Sequence, residues 1–470
     1  MRCNTMCKSF VSCVALLAVL FCGTLPAHGL NIGEERQIGE KLLFSVRHHF
    51  KLIDSPDITA YITDLGNSVL DVSGAHYFDY HFFIIDSREF NAFAAPSGLI
   101  FFYSGLVEAM GSEDELVAVL GHEIGHIKKR HLATRLEKSK YQSLATLGLA
   151  VASIAFGGTM APALLTGTMA ANQSITLHFS RKDEEEADLL AYQWMKMLGR
   201  DVSGQVRMLR TMRRIARYRS DTLPQYLLTH PNPEARLNLI EGFIDTDTEY
   251  KSQRKTVADD VAFLRFKYRI LTLASSATNL RGTLDATLNS QHADVLHKDM
   301  ARYGMAELAR SEKDFDRARQ LLEEVQRKYP DFTPFLVDRA VLEFEAGNLL
   351  QAEEMLLEAR AKNAFDIYAT YYLGKLLQQT KREEQALELY KIVEYEQPQF
   401  ADIYFVMGQI YTAQKKRGLT NLYLGKYFLY RGKFDLAVES FEKAIKDPDL
   451  TVGDRENIAG YLEQIKRIQN

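Results

Sequence analysis

Apolar and polar positions follow one another along this chain in three regimes, each with its own pattern. In the first, Arg2 and Lys8 precede a continuous apolar run, FVSCVALLAVLF, that has no polar face. From about residue 33 to 245 the pattern is mixed. IGEERQIGEKLLFSVRHHF and PDITAYITDLGNSVL carry helix-spaced apolar residues and predict two helices. YHFFIID reads as a strand, and NAFAAPSGLIFFY sets a Pro-Ser-Gly turn between two β-prone runs, a hairpin signal. Ser104 or Ser112 then opens further helices. Ser112 has Glu115 three residues on, just before the helical run LVAVLGHEIGH, so a capping box is predicted at that start.

After the hydrophilic stretch DTDTEYKSQRKTVADD the chain becomes helical and repetitive. Ala306, Ala340, Gly374 and Gly408 stand 34 residues apart, and Ala318, Ala352 and Ala386 follow the first three by twelve. Pro330 and Pro398 close two of the units. This resembles the tetratricopeptide repeat, whose small residues sit where paired helices cross closely and whose stacked units form a concave surface for peptides or protein partners. YYLGKLLQQTKREEQALELYKIVEYEQP is the best-formed unit. LGKYFLYRGKFDLAVESFEKAIKDP keeps the spacing from Gly425 to Ala437 but is out of phase, which predicts an insertion near KKRGLTN.

Length and composition narrow the picture. A chain of 470 residues predicts two or three domains, and 46% hydrophobic with 25% charged residues predicts a packed interior. The net charge of −4 argues against a nucleic-acid partner. The basic start, the apolar run and the small residues Ala27 and Gly29 read as an export signal over residues 1–29, placing the mature chain in the periplasm, where membrane association stays open. All four cysteines, Cys3, Cys7, Cys13 and Cys22, lie in that leader. A metal in the mature chain must then be held by histidine and carboxylate.

VLGHEIGHIKKRH supplies the chemistry. His122 and His126 are four apart and share a helix face, and Glu123 stands between them: the His-Glu-x-x-His pattern of a zinc site whose glutamate is the general base. His131, nine residues from His122, falls about 180° round a continuous helix and is expected to be structural. In SRKDEEEADLLAYQWM, Glu184 and Asp188 share one helix face, while Glu185 and Glu186 point off it. Alone, that segment could equally be a solvated acidic cap.

With both segments present the chain resembles the HtpX-like zinc metallopeptidases related to the CAAX prenyl proteases, of the gluzincin type. The resemblance implies Glu184 as third zinc ligand and Asp188 as the residue orienting a zinc-bound imidazole. It also implies that Asn91, Ala92, Phe93 and Ala94 form an edge strand above the zinc, to which an extended substrate can pair. In LLTHPNPEARL it points to His230, which either stabilises the oxyanion or occupies the fourth coordination position and holds the enzyme latent. Arg236 is expected to support this corner through a carboxylate that the sequence does not name.

The uncharged stretch between the two ligand helices, at 142–176, reads as a helical hairpin over the catalytic domain with possible membrane contact. The expected fold is α+β and mostly α: a gluzincin-type domain over 30–250 with a small sheet and edge strand, then an all-α repeat solenoid over 262–466. The whole arrangement resembles periplasmic proteins that join such a peptidase to tetratricopeptide repeats and serve outer-membrane assembly. That implies a zinc endopeptidase acting on misfolded or stalled envelope proteins, its repeats docking protein substrates or outer-membrane assembly components. The rival is a latent or non-proteolytic, chaperone-like binding protein.

Overall fold

The computed structural model describes residues 30–138, 179–218, 223–252, 260–274, 279–448 and 450–469. The leader 1–29 with its cysteines and the element at 142–176 lie outside the described residues.

The two helices expected first are α1 (Ile32–His49) and α2 (Pro56–Ser73). Asn31 and Glu34 form a capping box at the start of α1, and Pro56 opens α2, where its missing N–H costs nothing. Three short strands follow: β1 (His81–Ile85), β2 (Ala92–Ala95) and β3 (Leu99–Tyr103). The hairpin signal is realised between β2 and β3, where Ser97 and Gly98 take φ of 68° and 85°. β3 pairs antiparallel with β2 and parallel with β1, so the order is β1-β3-β2 and β2 is an edge. Ser104 opens the short helix α3 (Ser104–Ala109).

The HEIGH helix is α4 (Glu113–Lys128), with Ser112 as its N-cap residue. The predicted capping box is absent. The Ser112 hydroxyl accepts from Arg207 at 3.0 Å, and the Glu115 carboxylate accepts from the Gly111 N–H and from Arg207 Nε. A guanidinium 95 residues away in sequence outcompetes the local N–H for the hydroxyl. The chain continues through α5 (His131–Lys138), α6 (Arg181–Met197), α7 (Ser203–Tyr218), α8 (Gln225–Thr229) and α9 (Pro233–Thr246). After α10 (Thr248–Ser252), α11 (Asp260–Leu273) carries the chain into the repeats.

The hydrophobic interior does not stop between the two halves. One buried cluster runs from Ile58 and Phe102 through Phe263 and Phe266 of α11 to Phe335 in the repeats. Beyond α12 (Leu280–Asn289) the solenoid stacks α13 (Val295–Ser311), α14 (Phe315–Lys328), α15 (Pro334–Glu345), α16 (Leu349–Lys362), α17 (Ile367–Gln379) and α18 (Glu383–Glu396) as helix pairs. Gly374 is small because the Tyr390 ring presses on it: an added Cβ would stand 2.5 Å from the ring. The expected insertion near KKRGLTN is not there. α19 (Ala401–Ala413), α20 (Arg417–Tyr430) and α21 (Phe434–Ala444) simply continue the stack, with α20 pairing on both sides. Gly408 and Gly425 are 17 residues apart, half a repeat, so α20 ends one unit and begins the next.

The solenoid then returns to the first domain. Phe434 stacks on Phe44 of α1, Gly432 meets the Arg47 backbone, and Arg467 of α22 (Val452–Gln469) pairs with Glu40. Asp54 accepts from the Ala401 N–H at the start of α19, and Gln397 donates to the Pro56 carbonyl. A cavity of about 750 Å³ lies between the repeats and the β1–α2 side of the first domain. Among the described residues no helix is long and apolar enough to cross a membrane.

Candidate metal centre

Two helices build the centre because both present small residues at their contact. Gly121 and Gly125 of α4 lie against Ala191 and Ala187 of α6, so close that an added Cβ would stand 3.1 and 3.2 Å from their Cα atoms. That approach brings Glu184 and Asp188 beside His122 and His126. Ser180 and Asp183 cap α6 reciprocally, fixing its first turn, where Glu184 sits.

Four side chains meet at one point: His122, His126, Glu184 and His230. His122 Nε2 is 3.1 Å from His126 Nε2 and 3.3 Å from His230 Nδ1. Glu184 lies 3.6 and 3.5 Å from the two α4 histidines and 3.0 Å from His230 Nδ1. A tetrahedral zinc with bonds of about 2.0–2.2 Å sets donor–donor edges of roughly 3.3–3.5 Å. The observed set has that size.

The charges also fit a dication. Glu123, Glu184 and Asp188 are buried, and among the described residues Arg236 is the one guanidinium in ion-pair contact with them. Three carboxylates against one guanidinium leave a deficit of two positive charges when the histidines are neutral. Burial holds the His126 imidazole well below its ordinary pKa, in the neutral form a metal requires. Burial alone would push Asp188 up, but Arg236 and His122 outweigh it and hold the carboxyl at about 2. Burial would push Glu184 up too, but it is likewise held well below the usual range, with the Arg236 guanidinium beside it.

Around these donors the support is specific. His122 Nδ1 is 2.9 Å from Asp188 Oδ1, and Arg236 donates to both Asp188 oxygens from Nε and Nη2, at 2.7 and 2.8 Å. The unnamed carboxylate partner of Arg236 is therefore Asp188, with Glu184 also in contact. Glu123 accepts from the Tyr226 hydroxyl at 3.2 Å through Oε1, while its buried Oε2 has no hydrogen-bond partner among the described residues. An unsatisfied oxygen on a buried carboxylate beside the donors is where a proton acceptor is wanted.

Three expectations need correction. His131 does not face elsewhere. α4 ends where Arg130 takes φ of 53°, and the chain turns into α5, so His131 folds back until its Nδ1 is 3.0 Å from His126 Nδ1. The 180° estimate assumed a helix that does not continue. Glu186, expected to point off the site, lies 3.2 Å from His131 Nε2, while Glu185 is exposed as expected. The edge expected to be open is covered as well: Asn91, Ala92, Phe93 and Ala94 are at most 8% exposed. A narrow gap lined by Ala94, Ala95, His126 and Phe179 lies beside β2.

Sequence reasoning missed Tyr226 and Phe179. Tyr226 lies four residues before His230 on the short helix α8, a spacing that could have flagged it. Phe179 lays its ring on His126, with centroids 4.0 Å apart, and Arg135 sits over that ring. Nothing in its local sequence marks it.

Comparison with known proteins agrees with this geometry. Residues 56–244 match Peptidase family M48, and residues 309–376 match a tetratricopeptide repeat. A beta-barrel assembly-enhancing protease of Escherichia coli (strain K12) is 31% identical over 309 residues, 64% of this chain and 61% of the relative. Its counterpart from Yersinia pestis is 28% identical over 366 residues, 73% and 72% of the two chains. The mitochondrial metalloendopeptidase OMA1 of Schizosaccharomyces pombe is 28% identical over 186 residues, 40% of this chain and 53% of that one. The chain thus spans about 61% of the Escherichia coli relative's length.

Proposed function

Residues 56–244 belong to peptidase family M48 and the repeats behind them to the tetratricopeptide class, and from that premise we propose that the chain is an exported zinc-dependent endopeptidase. It hydrolyses peptide bonds of misfolded or stalled envelope proteins, and its repeats dock the substrate or a partner. The observation that carries this reading is the convergence of His122, His126 and Glu184 beside the unsatisfied Glu123 carboxylate.

His122, His126 and Glu184 hold the ion, and Asp188, itself gripped by Arg236, fixes the His122 ring. When bound, zinc supplies a Lewis acid that polarises the scissile carbonyl and brings the ionisation of water toward neutral pH. Glu123 takes the proton of the attacking water on Oε2 while the Tyr226 hydroxyl holds Oε1 in place, then delivers that proton to the departing amine. Asn91 to Ala94, on the edge strand, offer backbone groups to an extended peptide once the cover is withdrawn.

His230 supports a latent resting state rather than the oxyanion role. Its Nδ1 completes a set of four protein donors, whereas a catalytic zinc keeps one position open. Opening requires His230 to withdraw with the α8–α9 turn. Outer-membrane assembly components are the proposed partners, in keeping with the names of the bacterial relatives. The same closed donor set favours the second reading, a binding protein whose zinc site stays silent.

Zinc content and casein cleavage compared among wild type, Glu123→Gln and His230→Ala test all of this. All three should hold one zinc. Cleavage should fall by about 10²–10⁴ in Glu123→Gln, and rise in His230→Ala. A fall in His230→Ala would give that residue the oxyanion role, and zinc-loaded chains that never cleave would leave the binding protein.

A further inference from the structure

We propose that His131 is the positioning residue of the second zinc histidine: it accepts a hydrogen bond from His126 Nδ1–H, locking His126 in the tautomer that turns Nε2 to the metal. The proposal rests on the zinc reading above and deepens it.

The two α4 histidines are supported differently. His122 Nδ1 meets a carboxylate directly, at Asp188. His126 Nδ1 meets another imidazole nitrogen, His131 Nδ1, at 3.0 Å, and the far side of that ring, Nε2, is 3.2 Å from Glu186 Oε2 and 3.9 Å from Asp183. A contact between two ring nitrogens is a hydrogen bond only if one carries the proton and the other does not.

Two assignments are open for neutral rings. If His131 carried its proton on Nδ1, its bare Nε2 would face the Glu186 carboxylate, lone pair against lone pair. His126 would then be protonated on Nε2, among the donors at the metal point. If instead His126 carries its proton on Nδ1, His131 Nδ1 accepts it, His131 Nε2–H donates to Glu186, and His126 Nε2 is free for the ion. Only the second assignment satisfies both ends of the chain. The His122 and His126 Nε2 lone pairs then approach to 3.1 Å, a repulsive contact that a cation between them relieves.

The fold secures this chain at both ends. The helix break at Arg130 is what points His131 inward, and the Arg130 guanidinium is tied to Glu35 and to the Leu30 carbonyl. His131 is buried between α4 and α6, and Phe179 covers the adjoining face of His126. The order Glu186–His131–His126 thus carries carboxylate support to the second ligand through an intervening ring.

The test uses the full zinc-loaded chain with ¹⁵N-labelled histidine. Long-range proton–nitrogen correlation should show His131 as the Nε2–H tautomer and His126 as Nδ1–H; an Nδ1–H His131 overturns the proposal. Zinc release to a competing chelator gives the second readout. His131→Leu should bind zinc about 10–100-fold more weakly. His131→Asn, whose Oδ1 accepts near the Nδ1 position, should recover most of that loss. Affinity unchanged in His131→Leu, or equally low in His131→Asn, overturns the proposal, and the wild-type spectrum decides even if the leucine variant fails to fold. A wild type that holds no zinc would sink the metal reading itself, a different outcome from a wild type that holds it with the other tautomer.

Discussion

Two clusters of buried charge in this chain are balanced in different ways. Where α2 meets the repeats, Asp57, Glu307 and Asp338 pair with Arg265, Arg269 and Arg310. Among the buried groups that is three carboxylates against three guanidiniums, with the half-buried Glu345 also on Arg310. At the metal centre Glu123, Glu184 and Asp188 have, among the described residues, one guanidinium in ion-pair contact, Arg236 on Glu184 and Asp188. Burying charge is tolerable only when it is compensated. The first cluster is balanced by its own guanidiniums, as a fastener needs, whereas the second is two positive charges short among the described residues, which a dication would supply. Balance, rather than burial or the number of carboxylates, separates structural from chemical use of the same residue types.

The largest expected effect comes from unbalancing the fastener. Arg269 donates to Asp57 at 2.9 Å and to Glu307 at 2.7 Å, and the Tyr368 hydroxyl accepts from it at 3.0 Å. Arg269→Met leaves two buried carboxylates short of a partner, so urea unfolding should show a loss of about 3–5 kcal/mol. Zinc affinity of the folded fraction should not change. A loss below about 1 kcal/mol would show that Arg265 and Arg310 suffice to balance the three carboxylates.

Acid should loosen the fastener next, and the sign can be worked out. Burial pushes the Glu307 carboxyl up, but Arg310 and Arg269 outweigh it and hold it at about 2 against an ordinary 4.5. A folded-state pKa below the unfolded one contributes stability that is present above pH 4.5 and is lost as the pH falls toward 2. For this residue the loss is on the order of 2–3 kcal/mol. Asp338 acts in the opposite sense, because burial raises its carboxyl and protonation relieves a cost. Burial pushes Asp57 up as well, but Arg269 and Arg265 outweigh it and hold it well below its ordinary range, so Asp57 adds to the acid slope while Asp338 subtracts from it. Glu307→Gln should flatten the wild-type fall in urea midpoint over this window, and an unchanged slope would place the acid lability elsewhere.

How far each cluster could be read from sequence follows from how local its determinants are. His122 and His126 are four apart on one helix, and Glu184 and Asp188 four apart on another, so helix periodicity puts each pair on one face. His131 was misread because one residue, Arg130 with φ of 53°, ends the helix that the angular argument extended. The Ser112 cap was misread because Arg207, far away in sequence, takes its hydroxyl. The fastener was not read at all. Its one local signal is Arg265 and Arg269, four apart in the apolar run VAFLRFKYRIL, where charged residues on a buried face require partners. The 34-residue period is local enough to read directly, but the change of phase at Gly425 reads as an insertion near KKRGLTN, because a half-repeat step and an inserted segment leave the same shift in spacing.

The smallest effect separates geometry from charge at the metal centre. Gly125→Ala changes no charge but places a Cβ 3.2 Å from the Ala187 Cα and 3.4 Å from its carbonyl, tighter than α4 and α6 can accept without shifting. Overpacking of this kind costs about 1–3 kcal/mol. Replacing glycine by alanine within a helix returns up to about 1 kcal/mol. The net change in urea midpoint should be small, near 1 kcal/mol. Zinc binding should respond more than stability does, because Glu184 and Asp188 ride on the helix that is pushed away while His122 and His126 ride on the other. If affinity instead tracked stability, the donors would be adjusting independently of the helix spacing, and charge balance alone would account for the site.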